Sequence, residues 1–200
     1  MYLIKQKKEK LKIARGFTLI EMMVAISIFI IITMVVMFNF SGFNGSLIVT
    51  NAAYDVAMAV REAQVYGMSV KGSGSSSSFS RAYGIHFETG ANSGKFIIFN
   101  DTNGDSLYSA GEGIETYNFV SNYNISSLQF SSNGTDYSSA GSLDISFKRP
   151  EPEARIFAGN INTSAYSSAR ICMKSPSNQK KAVYVNSSGQ ISVKAGTVCP

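Results

Sequence analysis

Residues 17–38 read FTLIEMMVAISIFIIITMVVMF. At a rise of about 1.5 Å per residue this run reaches across a hydrocarbon core of about 30 Å, so it is predicted to form a transmembrane helix. Its flanks set the orientation. Lys5, Lys7, Lys8, Lys10, Lys12 and Arg15 stand before it against the single acid Glu9, and the next cation after it is Arg61. The basic flank is therefore expected to stay cytoplasmic and the C-terminus to lie outside. That flank also accounts for the whole formal charge of +5. The remainder sums to zero, and net charge alone gives it no reason to bind acidic partners.

Two features separate this segment from a secretory signal, which has a shorter apolar core followed by small residues at a cleavage site. Its small residue, Gly16, precedes the apolar run, so a cut there leaves the membrane helix attached. Glu21 is the only charge within the run. A carboxylate in a spanning helix costs about 2.5–3.5 kcal/mol at the centre and less toward the end, so it snorkels, takes a proton or finds a partner. An amine freed at Phe17 by cleavage, on the same or a neighbouring chain, is such a partner and would fix the register between helices.

With these residues in place, Arg15-Gly16-Phe17-Thr18-Leu19-Ile20-Glu21 resembles the processing site of type IV prepilins and type II secretion pseudopilins. The resemblance implies cleavage between Gly16 and Phe17, N-methylation of Phe17 and a role in filament assembly for Glu21. It implies as partners a membrane prepilin peptidase and methyltransferase, other pilin or pseudopilin subunits and a membrane assembly platform, with lipid of the cytoplasmic membrane around the helix before assembly. The implied location is a single pass through the inner membrane, then a periplasmic or extracellular filament. Many pilins bend their helix with a proline at the position of Phe38. Here Gly42 and Gly45 follow instead, each costing about 1 kcal/mol relative to alanine in a helix, so a bend or melted stretch is expected slightly later.

Beyond this point Val49, Ala53, Val56, Val60, Ala63, Gly67 and Val70 alternate at spacings of four and three, the stripe of an amphipathic helix that packs on a sheet. Residues 71–78, KGSGSSSS, are flexible by composition and end the helical half. The period then changes to two. Strands are predicted at 83–87, 95–99, 115–120, 127–130, 143–147, 155–157, 169–172, 182–185 and 190–193, between clusters of Gly, Asn and Ser. The expected fold is α+β, a long N-terminal helix, membrane-spanning in its first half and amphipathic in its second, packed on a C-terminal antiparallel β-rich head. The expected division is a basic leader at 1–16, a transmembrane and assembly helix at 17–38, a hinge and amphipathic helix at 39–71 and the head at 72–200. This layout, with the turn and strand at 186–193, is similar to that of GspH/FimT-type pseudopilins and minor pilins.

Three groups of residues are candidates for further roles. Asp101, Asn103, Asp105, Ser109 and Glu112, with the backbone carbonyl of Leu107, follow the order of a twelve-residue calcium loop, although Ser106 stands where such loops have glycine. The expectation is one structural calcium ion, and the alternative is a polar turn. Cys172 and Cys199 are expected to form a disulfide outside the cytoplasm, contributing roughly 3–4 kcal/mol, rather than stay two reduced thiols. No acid follows Glu153, whereas Arg155, Arg170, Lys174, Lys180, Lys181 and Lys194 do, so this quarter is a candidate positive face for DNA, since phosphate contacts dominate nucleic-acid affinity. Its cations look scattered and without interleaved aromatics. DNA-uptake pilins of the FimT type also place arginines after the glycine of the last turn, where this chain has Gln190 after Gly189. No hydrolase, P-loop, metalloprotease or dinucleotide motif occurs. The single histidine, His86, is expected on the polar face of its strand, so an enzyme is not the reading.

Overall fold

The computed structural model of the 200-residue chain describes residues 16–69, 81–119, 123–159, 165–195 and 199–200, without the side chains of 39–43. Residues 1–15 of the leader expected at 1–16, and the linker expected at 71–78, lie outside the described residues. Helix α1 runs from Leu19 to Met68, and the chain divides into two compact units, residues 1–40 and 41–200.

The first unit contains the apolar span Leu19–Phe38, 20 residues with a mean hydropathy of 2.7 and none of it buried by protein. Its polar side chains are satisfied locally. Ser27 donates to the Met23 carbonyl and Thr33 to the Phe29 carbonyl, both at 2.8 Å, which spares each hydroxyl an unmet hydrogen bond in hydrocarbon.

In the second unit the rest of α1 packs against two five-stranded antiparallel sheets. Strands are β1 (Tyr83–Glu88), β2 (Lys95–Asn100), β3 (Gly113–Asn118), β4 (Asn124–Ser131), β5 (Ser138–Ala140), β6 (Ser142–Phe147), β7 (Ala154–Ala158), β8 (Ser168–Lys174), β9 (Lys180–Asn186) and β10 (Ile191–Ala195). The first sheet has the order β3-β2-β1-β6-β7 and the second β10-β9-β8-β4-β5. Of the ten, β5 escapes a reading by alternation because Ser-Ser-Ala carries no apolar signal. It forms as an edge through pairing with β4 at residues 128–130.

Over the described residues the helix stripe is the one its spacing predicts: Val49, Ala53, Val56, Val60 and Ala63 are fully buried and Gly67 is buried, while Val70 lies outside the described residues. They share one core with Ile85, Phe87 and Phe147 of the first sheet and Leu128, Ile171 and Val183 of the second. Small residues let the helix come close. A Cβ on Gly67 would lie 2.4 Å from the Phe147 carbonyl oxygen, and one on Gly45 would lie 1.6 Å from Ser177 Oγ. Around Gly42 and Gly45 the backbone is helical, not melted, because Gly45 is used for this approach to the β8–β9 turn. Farther along, the buried Gln64 side chain donates to the carbonyls of Pro152 at 2.9 Å and Gly189 at 3.3 Å, pinning the helix to two turns of the head.

Candidate functional site

The start of the apolar helix is a capping box. The Thr18 backbone N–H and hydroxyl both donate to Glu21 Oε2 at 2.8 Å, and the Glu21 N–H returns to Thr18 Oγ1 at 3.3 Å. Thr18-x-x-Glu21 thus satisfies donors that a helix start leaves open. Gly16 and Phe17 precede the helix as exposed chain outside any helix or strand, with Phe17 83% exposed. A protease needs such an open peptide, and nothing in the described residues packs over this one.

Loop 101–112 is closed by its own donors. Asp101 accepts from the N–H groups of Gly104 at 2.6 Å and Ser106 at 2.9 Å. Asp105 accepts from the Leu107 N–H at 2.8 Å and from the Asn103 amide at 2.9 Å. Glu112 accepts from Thr102 N–H and hydroxyl at 2.8 and 2.7 Å, and from the Ser109 N–H at 2.9 Å. Burial pushes the Glu112 carboxyl up, but these hydrogen bonds outweigh it and hold the group below its ordinary value. Ser106 takes a left-handed φ of 68°, the sharp turn that calcium loops assign to glycine. Among the described residues, no three His, Cys, Asp or Glu side chains converge as a metal needs.

His86 lies on the face of its strand opposite Ile85 and Phe87, beside Asp144 and Glu88, but that face is covered rather than solvated. It is 4% exposed, because Tyr108 of the loop lies over it with ring centroids 4.7 Å apart. Its Nδ1 is 2.7 Å from Asp144 on the paired strand, and its Nε2 is 3.2 Å from Glu88. Burial favours neutral imidazole, yet the hydrogen bonds and charges of Asp144 and then Glu88 prevail and raise its pKa above the usual value.

The C-terminal cations are less scattered than they read. Arg170, Lys174, Lys180 and Lys194 fall on one face of the second sheet by the pairings Arg170↔Tyr184, Lys174↔Lys180 and Ala182↔Lys194, while Lys181 alternates to the other face and Arg155 belongs to the first sheet. Aromatics are interleaved after all. The Arg170 guanidinium lies 3.2 Å from the ring centroid of Tyr137 and 4.9 Å from that of Tyr184, and Lys194 Nζ lies 4.4 Å from Tyr184. On this face, too, Cys172 is bonded to Cys199 across 27 residues, with Cα atoms 5.8 Å apart.

Residues 11–37 match the family model of the prokaryotic N-terminal methylation motif. The chain carries a prepilin-type N-terminus. No curated protein and no solved structure gave a match.

The prepilin-type motif supports a pilin- or pseudopilin-type subunit whose precursor is processed by a prepilin peptidase, and it implies other pilin subunits as partners. It points to a structural protein. The motif and the apolar helix behind it fit a membrane-anchored precursor that later enters a filament. Thr18 and Asp144 are the two partners that the motif reading does not name, and they differ in how far the sequence announces them. Thr18, three residues before Glu21, is the capping signature, whereas Asp144 could be found only through strand register.

Proposed function

We propose that the chain is a structural subunit, a minor pilin or pseudopilin, of a type IV pilus-like or type II secretion filament. Cleavage falls after Gly16, Phe17 becomes the N-methylated terminus, and the Leu19–Phe38 helix holds the subunit in the inner membrane until assembly. The Glu21 carboxylate then pairs with the Phe17 amine of a neighbouring chain. The observation that carries this reading is the methylation motif at 11–37 running directly into a 20-residue apolar span with a folded β-rich head behind it. Mass spectrometry of the protein purified from cells with an active prepilin peptidase tests it. The expected N-terminus is methylated Phe17, and retention of residues 1–16 would falsify the reading.

A second reading, a tip subunit that binds DNA, is favoured by the stack of Tyr137, Arg170, Tyr184 and Lys194 on one sheet face. Cations with interleaved aromatics suit backbone phosphates and base faces. Binding of single-stranded DNA by the detergent-solubilised chain should weaken with salt and with Arg170→Ala, and no binding at low salt removes this alternative.

A further inference from the structure

Between α1 and the edge of the first sheet runs a groove of about 290 Å³, lined among others by Asp55, Met58, Glu62, Phe96, Tyr117 and Phe119. Its floor is aromatic, with the Phe96 and Tyr117 rings stacked 5.0 Å apart. Its rim is acidic. Asp55 is exposed, Glu62 accepts from the Tyr66 hydroxyl at 2.5 Å, and Tyr117 donates to Glu115 at 3.0 Å. Among the described residues none of these three carboxylates is in an ion pair. The tyrosine registers the local field: burial, then the hydrogen bonds and charges of Glu115 and Glu62, push the Tyr117 hydroxyl up to about 12. Met58, 64% exposed, stands beside the groove as uncovered apolar surface.

The opposite charge is found on the same molecule in a different place. Lys174, Lys180 and Lys181 bracket the β8–β9 turn, and the nearest acid before them in sequence is Glu153. Lys180 reaches the Pro200 carbonyl, while Lys174 is exposed. Among the described residues none of the three pairs with an acidic side chain. This turn lies against Gly45 of α1 through Ser175 and Ser177, whereas the groove lies along α1 at residues 55–62.

Two complementary patches at different levels of one helix make a head-to-tail contact, which propagates into a filament rather than closing a dimer. We infer that the acidic, aromatic groove at Asp55, Glu62 and Tyr117 receives the lysine-flanked β8–β9 turn of a second copy of this chain. The ten to seventeen residues from Gly45 to the groove set the stagger: parallel copies are offset by roughly 15–25 Å along α1, from the rise per residue. Opposed charge fields orient the encounter, and Met58 with the aromatic floor supplies the buried area. The inference rests on the filament reading and specifies which surfaces of neighbouring heads meet.

The test uses the full-length chain in cells, read as the amount recovered in sheared filaments. Asp55→Lys with Glu115→Lys, and separately Lys174→Asp with Lys181→Asp, should each lower recovery by at least about tenfold, because juxtaposed like charges cost more than one factor of ten. The four substitutions together restore opposite signs and should recover most of the loss. In filaments mixing Met58→Cys and Gln179→Cys copies, a crosslinked product of twice the chain mass is expected. One-sided reversals that assemble as wild type, a combined variant no better than either, or a crosslink to a protein of another mass would each overturn the contact while leaving the filament reading intact. Wild type absent from filaments would sink both.

Discussion

At Glu21 two partners compete for one carboxylate. In the uncut chain Thr18 supplies both its N–H and its hydroxyl, so the charge has a local reason to be there and its presence alone does not argue for assembly. Glutamine at the third helical position also completes a capping box but offers no charge to an amine. Glu21→Gln should therefore insert and be processed like wild type yet fall out of sheared filaments, and equal incorporation would show that capping is its whole role. His86 makes a residue-scale claim outside the membrane. Its folded pKa lies above the usual 6.5, so the stability of its pairing with the fully buried Asp144 is complete below the unfolded value and is lost as pH rises through the folded one. Glu88, Lys95 and Tyr108 are the other titratable groups lining the pocket beside it. The melting temperature of the detergent-solubilised chain should fall as pH climbs above 6.5, and His86→Gln should flatten the slope. A wild-type profile already flat from pH 6 to 8 refutes this.

Elements show where alternation stops being informative. A period of two assigns His86 to the face opposite Ile85 and Phe87, and that much is right. It cannot say that loop 101–112 will fold over this face and bury it, since the cover comes from Tyr108, 22 positions away and in no periodic segment. The same limit hid the aromatics beside Arg170: Tyr137 lies outside any strand and reaches the second sheet only through the fold. The loop itself was legible as a turn, but not the assignment of its carboxylates to backbone donors. Calcium there is a proposal resting on residue order, and the loop separates it from the turn by experiment. Asp101→Ala should lower the melting temperature in calcium-free buffer, because the Gly104 and Ser106 N–H groups lose their acceptors, and the buried Ser106 N–H then costs about 1–3 kcal/mol. A rise at several millimolar calcium, abolished by the same substitution, would establish the ion. An unchanged value leaves a self-closed turn.

For the whole molecule, the division of labour was visible in the sequence because hydropathy changes abruptly: an uninterrupted apolar run, then a stripe of small residues, then short alternating strands. The order of strands in the two sheets was not, since it depends on pairings such as β1 with β6 and β4 with β8 across tens of residues, which no local pattern encodes. The last strand of the head, β10, is paired on one side only, with β9. The Cys172–Cys199 bond answers that weakness by tying the last two residues of the chain back to β8, next but one in the sheet. A closed loop of 27 residues should contribute roughly 3–4 kcal/mol by restricting the unfolded chain. In a chain of this size each kcal/mol moves the melting temperature by about 2–4 °C, so Cys199→Ser should lower it by roughly 6–16 °C. Reductant should reproduce the shift in wild type and add nothing in the variant. A loss under about 2 °C would mean that pairing with β9 already holds β10 without the covalent tie.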